Sequence, residues 1–334
     1  MKNIRDSKLG FGPMSPEIIE GVIKASSLLT QPLMLISTQN QIDWNGGYVN
    51  NWKTSEYVEF VHTLLPKYPK SHVYLCRDHL GPGFKNDNID DVYKTLYDDI
   101  DHNFDLIHVD FSNIHADKTT VLNETKKAIQ GIYKKTDTVR LEIGTEENVG
   151  RSKSTLAEIE REVTFVKEFA EPEFFVVQTG SLVKEINQVG SFHKDFIVEA
   201  HNLLSSHGVR LKEHNADYLD EDMIRARIGI VDAMNIAPQL GVLQTVTVLE
   251  QAIIYGVDIS EFLTASYNSK RWEKWLFHNT ASNNMLCAII AGHYNFTSKA
   301  YQTLIFCLEK QIDIKKIIVD KTAELIQFYI MSFS

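Results

Sequence analysis

The chain has 334 residues, of which 43% are hydrophobic, enough for a sizeable core in one large barrel or in two domains. A formal charge of −10 and a pI near 5.7 exclude electrostatic attraction to nucleic acid or to an anionic membrane surface. Three widely spaced cysteines, Cys76, Cys287 and Cys307, do not form a disulfide framework and suit a reducing compartment. With no signal-like apolar core at the amino terminus and no membrane-length apolar run, the expected location is the cytoplasm.

In chain order, short apolar runs alternate with longer amphipathic stretches. Candidate strands lie at 32–37, 72–76, 106–110, 139–143, 174–178, 209–212, 233–236 and 286–291. Between them, 55–65, 89–101, 122–134, 155–169, 196–207 and 224–228 carry apolar residues at helical spacing. All but the last interval have the size of one strand-helix unit, and near-continuous apolar strands alternating with helices imply a buried parallel sheet. Eight units close such a sheet into a (β/α)8 TIM barrel. No Gly/Ser-rich or Pro-rich linker divides the chain, so a single domain over 1–334 is expected, with a helical carboxy-terminal extension from about 297. The tail at 314–329 reads as an amphipathic helix that covers the barrel or mediates an oligomer.

In a barrel of this kind, chemistry sits where strands end and loops begin. The run starting at Val73 stops on Arg77, Asp78 and His79 and breaks at Gly81-Pro82. An acid beside an imidazole at that point marks the centre of an active site. Asn40 and Gln41 stand in a carboxamide-rich loop that ends in a Gly-Gly turn, and carboxamides offer sugar hydroxyls both donors and acceptors. Alternation puts His108, Asp110 and Ser112 on one face, the barrel interior, where a charged Asp110 needs a cation or a donor. Glu142 lies within the next strand and Glu146 just beyond it. Gln178 and Ser181 follow the next, and His214 ends another. Two imidazoles and one carboxylate, here His79, His214 and Glu142 or Glu146, are an ordinary ligand set for a catalytic divalent ion. Arg77 and Lys212 flank the presumed ligands, and strand alternation is expected to turn both away from them. Trp44 and Trp52 flank the first loop and either stack on a sugar or pack. Neither P-loop nor dinucleotide spacing occurs.

Taken together, the segments Gln39 to Tyr48, Asp78 to Pro82, Ile107 to Asp110, Ile143 to Glu146, Val176 to Gln178, Glu213 to Tyr218 and Met234 to Pro238 carry a resemblance that runs on to His293-Tyr-Asn. It is to the class II tagatose-bisphosphate aldolase family, of the subunit type usually called non-catalytic. More distantly, the chain resembles the catalytic class II fructose- and tagatose-bisphosphate aldolases. The resemblance implies a (β/α)8 barrel, His79 and His214 as ligands of a divalent metal, and Asp78 as the acid/base that moves the proton of the hydroxyl where the carbon-carbon bond breaks. Zinc is the expected ion, with manganese, cobalt or magnesium as alternatives. Asp110 and Glu146 are further catalytic candidates, Glu142 a further ligand candidate, and Asn40, Gln41, Gln178, Ser181, Asn235 and His293 candidates for binding substrate.

Three departures stand beside the likeness. Catalytic relatives place a third histidine where this chain has Gln178-Thr179-Gly180. They hold phosphate with turns that here read Asn215 to Tyr218 and Asn235 to Pro238, which offer fewer backbone donors. The chain is also shorter than its relatives after Gly150. The expected substrate is therefore a ketose or ketose phosphate, with tight bisphosphate binding in doubt. The expected activity is that of a metal-dependent aldolase; the alternatives are a sugar C4 epimerase using the same retro-aldol step without product release, and a non-catalytic subunit stabilising a separate aldolase chain. Expected partners are a small sugar or sugar phosphate and either a second copy or a catalytic aldolase chain, with no nucleic acid and no membrane.

Overall fold

The computed structural model describes residues 3–114, 116–145 and 155–334. Eight parallel strands close into a barrel: β1 (Leu9–Phe11), β2 (Pro32–Thr38), β3 (His72–Leu80), β4 (Leu106–Val109), β5 (Arg140–Gly144), β6 (Phe174–Val176), β9 (Arg210–Glu213) and β10 (Ala233–Ile236), β1 meeting β10 to close the ring. A two-stranded hairpin, β7 (Val183–Lys184) with β8 (Asn187–Gln188), interrupts the connection after β6. The helices that return the chain are α1 (Pro16–Leu29), α2 (Thr54–Leu64), α3 (Ile89–Asp101), α4 (Lys118–Lys135), α5 (Leu156–Lys167), α6 (Lys194–Ser206), α7 (Glu221–Arg225) and α8 (Pro238–Ile254). Four more follow: α9 (Ser260–Asn268), α10 (Asn284–Ala291), α11 (Lys299–Glu309) and α12 (Ile314–Ser332).

The barrel is as expected, with one exchange of elements. Residues 286–291 are helical within α10, and the eighth strand is Leu9–Phe11 at the other end of the chain. Length explains both. Three residues with a central glycine give no alternation to read, whereas the apolar run Leu286 to Ala291 satisfies a buried helix as readily as a buried strand. Capping supports the helical outcome: the Asn283 side chain accepts from Leu286 N–H and fixes the start of α10.

The interior of the barrel is layered. Met34, Ile36, Tyr74, Cys76, Leu106, Phe174 and Ala233, with Ile4 beneath them, form an apolar plug. Alternation places the next inward side chains, Asp78, His108, Glu142, Lys212, His214 and Asn235, above the plug toward the carboxyl ends of the strands. The outward residues, such as Leu75, Ile107, Leu141, Phe175 and Leu211, pack under the helices. Arg77 also faces outward, as expected. Fully buried, it grips Asp99 of α3 through two hydrogen bonds of 2.7 Å and donates to the carbonyls of Ser37 (3.0 Å) and Ile42 (2.8 Å), which ties the loop after β2 to the barrel wall.

The tail helix covers the barrel's side. α12 packs along α1 and α8, places Ala323, Ile326, Tyr329 and Ile330 in the main core, and pairs Asp320 with Lys24 of α1. Close approach depends on Gly21: a methyl group there would lie 2.6 Å from Thr322 Cβ and 3.1 Å from the Val319 carbonyl oxygen. Among the described residues no helix is long and apolar enough to cross a membrane. Gly21→Ala should force α12 outward and lower unfolding stability by about 1–3 kcal/mol, measured by chemical denaturation. An unchanged midpoint would mean that α12 does not dock on α1 as described.

Candidate metal and acid-base centre at the barrel mouth

The site depends on an irregularity in β3. In a regular strand adjacent residues point to opposite faces, so Asp78 and His79 could not both face the barrel mouth. The pairing with β4 slips between Arg77 and Leu80, and His79 takes a left-handed backbone (φ 44°). This bulge re-aims the His79 ring toward the site occupied by Asp78. The next turn requires glycine, because a Cβ on Gly81 would meet the Asp110 carbonyl oxygen at 1.6 Å. Phe84 stacks on the His79 ring at 4.7 Å between centroids and holds it from outside.

Three imidazoles converge, each anchored through one nitrogen. His79 Nδ1 donates to Asp110 Oδ2 (2.8 Å), His108 Nε2 to the Gly144 carbonyl (2.8 Å) and His214 Nε2 to Glu142 Oε1 (3.1 Å). Because carbonyls and carboxylates only accept, these partners assign the tautomers. In neutral rings the other nitrogens carry lone pairs; with no cation between them, His108 is instead pushed up to about 9, the effect of burial being outweighed by Asp78, Glu142 and Asp110. His79 Nε2 and His214 Nδ1 face each other at 3.0 Å, and His108 Nδ1 lies 3.3 Å from the His79 backbone N and 3.5 Å from Glu142 Oε1. Two lone pairs at 3.0 Å repel unless a proton or a metal cation stands between them. Beside them lies Asp78, 8% exposed, whose Oδ1 is buried without a hydrogen-bond partner, 3.7 Å from His108 Nδ1 and 3.7 Å from His214 Nε2. Donor atoms of Asp78, His79, His108 and His214 all lie within 4.8 Å of one another. An imidazole whose second nitrogen is held by a carboxylate or carbonyl is the usual form of a metal-ligating histidine, so the donor set fits a divalent ion.

All three carboxylates are held ionised despite burial. Burial works against ionising Asp78, but the neighbouring imidazoles of His79, His214 and His108 outweigh it and keep the carboxyl well below the usual range. Asp110 is likewise held at about 2, burial being overcome by the hydrogen bond from His79 and the charge of His108. Glu142 is also held at about 2, burial being overcome by Lys212 and the hydrogen bond from His214.

These contacts revise several expectations. Glu142 does not stand among the converging donors. Its Oε2 takes Lys212 Nζ at 2.6 Å and its Oε1 takes His214, so it orients the ring. Lys212 points inward, contrary to expectation, because it lies two residues from His214 and shares its face; it sits 5.2 Å from the Phe174 ring. Asp110, expected to be catalytic, spends its oxygens on His79, the Thr145 hydroxyl (2.9 Å) and the Ser112 N–H (3.1 Å). Glu146 lies outside the described residues. His108, noted only for its face, completes the cluster.

Among the candidate substrate contacts, Gln41 stitches its own loop, accepting from Thr38 N–H at 2.8 Å, and Asn40 donates to the Phe84 carbonyl at 2.6 Å. The Ser181 hydroxyl belongs to a buried network with Thr179, Glu213 and Arg227. Gln178 is half-buried just beyond β6. Asn235 and His293 differ: both amide atoms of Asn235 and Nδ1 of His293 are buried without partners. Burial and the nearby Lys274 push the His293 imidazole down to about 3, so it is neutral. Trp52 packs on Phe60 (4.7 Å) and Trp44 lies under Lys94 (4.6 Å), so the described contacts of both are packing contacts. A cavity of about 660 Å³ lies elsewhere, between Glu17 and Lys24 of α1 and Lys315 and Asp320 of α12.

Three solved structures share the eight-stranded barrel fold. A probable tagatose 6 phosphate kinase from Sinorhizobium meliloti 1021 superposes with a TM-score of 0.81 at 15% identity, over 97% of this chain and 99% of that one. Fructose-bisphosphate aldolase from Campylobacter jejuni gives 0.65 at 11% identity, over 98% and 90%. The YdjI aldolase from Escherichia coli K12 gives 0.53 at 12% identity, over 90% and 91%. At these identities the likeness carries the fold alone. Residues 12–151 match the family model described as D-tagatose-1,6-bisphosphate aldolase subunit GatZ/KbaZ-like, which supports the family resemblance read from the motifs.

Two outcomes follow from the buried groups. Lys212→Met should leave Glu142 as an uncompensated buried charge and cost about 3–5 kcal/mol of unfolding stability, most of it recovered by adding Glu142→Gln; equal stability of wild type and single variant would remove the pair from this role. Asp217 is buried and its carboxyl is pushed up to about 7, chiefly by burial. The folded state therefore holds its proton more tightly than the unfolded chain, so its contribution to stability is full below about pH 4 and lost as pH rises toward 7, by at most about 4 kcal/mol. The stability difference between wild type and Asp217→Asn, measured by denaturant from pH 4 to 8, should fall over that window. A flat difference would contradict the assignment.

Proposed function

We propose that the protein is a metal-dependent aldolase-type lyase that makes and breaks a carbon-carbon bond in a ketose or ketose phosphate. The observation that carries this reading is the set of three anchored imidazoles whose nitrogens converge with Asp78, all within 4.8 Å of one another, beside the Asp78 oxygen that has no hydrogen-bond partner. His79, His108 and His214 would hold the ion. When bound, a divalent ion supplies a Lewis acid that polarises the ketose carbonyl and stabilises the enediolate.

The remaining work falls to the protein's own groups. Asp78 is ionised at neutral pH, since the imidazoles around it hold its carboxyl low. In the cleavage direction it accepts the proton of the hydroxyl on the carbon whose bond breaks, and in the synthetic direction it returns that proton. Asp110 and Glu142 keep the rings of His79 and His214 in one tautomer and one orientation. Asn235 and His293 offer neutral hydrogen-bonding atoms to sugar hydroxyls.

The family description names an aldolase subunit, which supports association with a second aldolase chain. Retention of an acid/base and a complete donor set favours catalysis over a purely stabilising role.

The test is a cleavage assay on ketohexoses and their phosphates. Cleavage to two smaller carbonyl compounds should be abolished by EDTA and restored by a divalent ion, and Asp78→Asn should lower kcat about 10²- to 10⁴-fold. Formation of the C4 epimer with no free triose would assign the same chemistry to an epimerase. Full activity in metal-free protein would sink the proposal.

A further inference from the structure

In (β/α)8 barrels the loops after the last two strands and a nearby helix start are where phosphate is commonly seated, since the first amides of a helix point at an anion. Here that place is filled from within. Asp217, in the loop after β9, is 1% exposed, and its Oδ1 accepts from the N–H of Ala237 at 3.0 Å and of Gln239 at 2.8 Å. Pro238, between them, has no N–H to offer. The Gln239 side chain is engaged as well, its Oε1 accepting from Tyr218 N–H (2.8 Å) and from the Tyr329 hydroxyl of α12 (2.7 Å). Asp217 Oδ2 is buried with no partner, so a second anion beside it would meet an oxygen that nothing neutralises.

The other groups at this corner are neutral. Asn235, at the end of β10, keeps both amide atoms unpartnered, and His293, whose ring would be 2.7 Å from a Cβ on Gly241 in the first turns of α8, keeps Nδ1 unpartnered. Donors and acceptors without charge suit hydroxyls. Arg271 and Lys274 stand at the rim over the Tyr294 ring, at 5.4 and 5.7 Å, and the buried Arg227 is paired with Glu213 at 2.6 Å.

We propose that Asp217 determines specificity: its carboxylate occupies the anion seat at the start of α8, so the end of the sugar that reaches this corner carries hydroxyls and no phosphate. This rests on the reading of the mouth as a sugar site, but its test needs no turnover. A hexitol and its 1,6-bisphosphate, which cannot be cleaved, are titrated calorimetrically at pH 8 into the full-length protein and into a background carrying Arg271→Ala and Lys274→Ala, which removes binding at the rim. Wild type should bind the hexitol at least about tenfold more tightly than the bisphosphate, and Asp217→Gly should narrow or reverse that ratio about tenfold by freeing two amides. Asp217→Asn keeps the seat filled and should keep the wild-type ratio. Formate, which matches the missing carboxylate, should raise the melting temperature of Asp217→Gly and leave wild type unmoved. Tighter binding of the bisphosphate by wild type, no binding of either compound, a ratio unchanged in Asp217→Gly, or a ratio lost in Asp217→Asn would each overturn the proposal. Failure of cleavage with the binding preference intact would count against the lyase reading alone.

Discussion

Two imidazole nitrogens face each other at 3.0 Å across the barrel mouth, and each is the nitrogen left with a lone pair after its ring has donated elsewhere. That arrangement is unfavourable in isolation, and the surrounding groups are built to sustain it. Asp110 holds one ring, Glu142 the other, and Gly144 the third through its carbonyl. Glu142 can stay charged in a dry interior because Lys212 stands against it at 2.6 Å. The chain thus places a buried pair under the site to support one ring, and a bulge with a left-handed histidine to aim another.

The apolar plug beneath these groups has its own part in the electrostatics. Met34, Cys76, Leu106 and Phe174 close the lower barrel, so the charged layer has low-dielectric material below it. Interactions among Asp78, the three imidazoles and Lys212 are correspondingly strong, which is why burial, opposed to ionisation, is still outweighed at Asp78, Asp110 and Glu142. Stability and chemistry are coupled here: a residue that balances charge in the core also fixes a ring at the site.

Much of this was legible in the amino-acid sequence. Seven of the eight barrel strands announce themselves as apolar runs at unit spacing, and Asp78, His79 and His214 stand at strand ends where a barrel keeps reactive groups. What escaped reading has physical causes. Strand β1 is too short to show a period, and the run at 286–291 is apolar all round, which a core helix and a core strand share. His108 was visible on the inner face, but a histidine within a strand carries no sign of being a ligand until its ring partners are seen. The roles of Glu142 and Lys212 follow from an i, i+2 relation and a cross-barrel contact, and the bulge at His79 is a matter of pairing with β4 that β3 alone does not record. Asp217 looked like part of a loop poor in phosphate donors; its carboxylate proves to be the group that uses them.

The central claim is that His79, His108 and His214 hold one divalent ion. Cobalt(II) titration of the metal-free protein, followed by its visible d–d absorption, tests it most directly. The account predicts saturation at one equivalent, loss of the signal in His108→Ala and in His214→Ala, and retention of the signal with altered intensity in Glu142→Gln, whose side chain orients a ring without touching the ion. No cobalt spectrum in wild type, or one indifferent to both histidine substitutions, would contradict it.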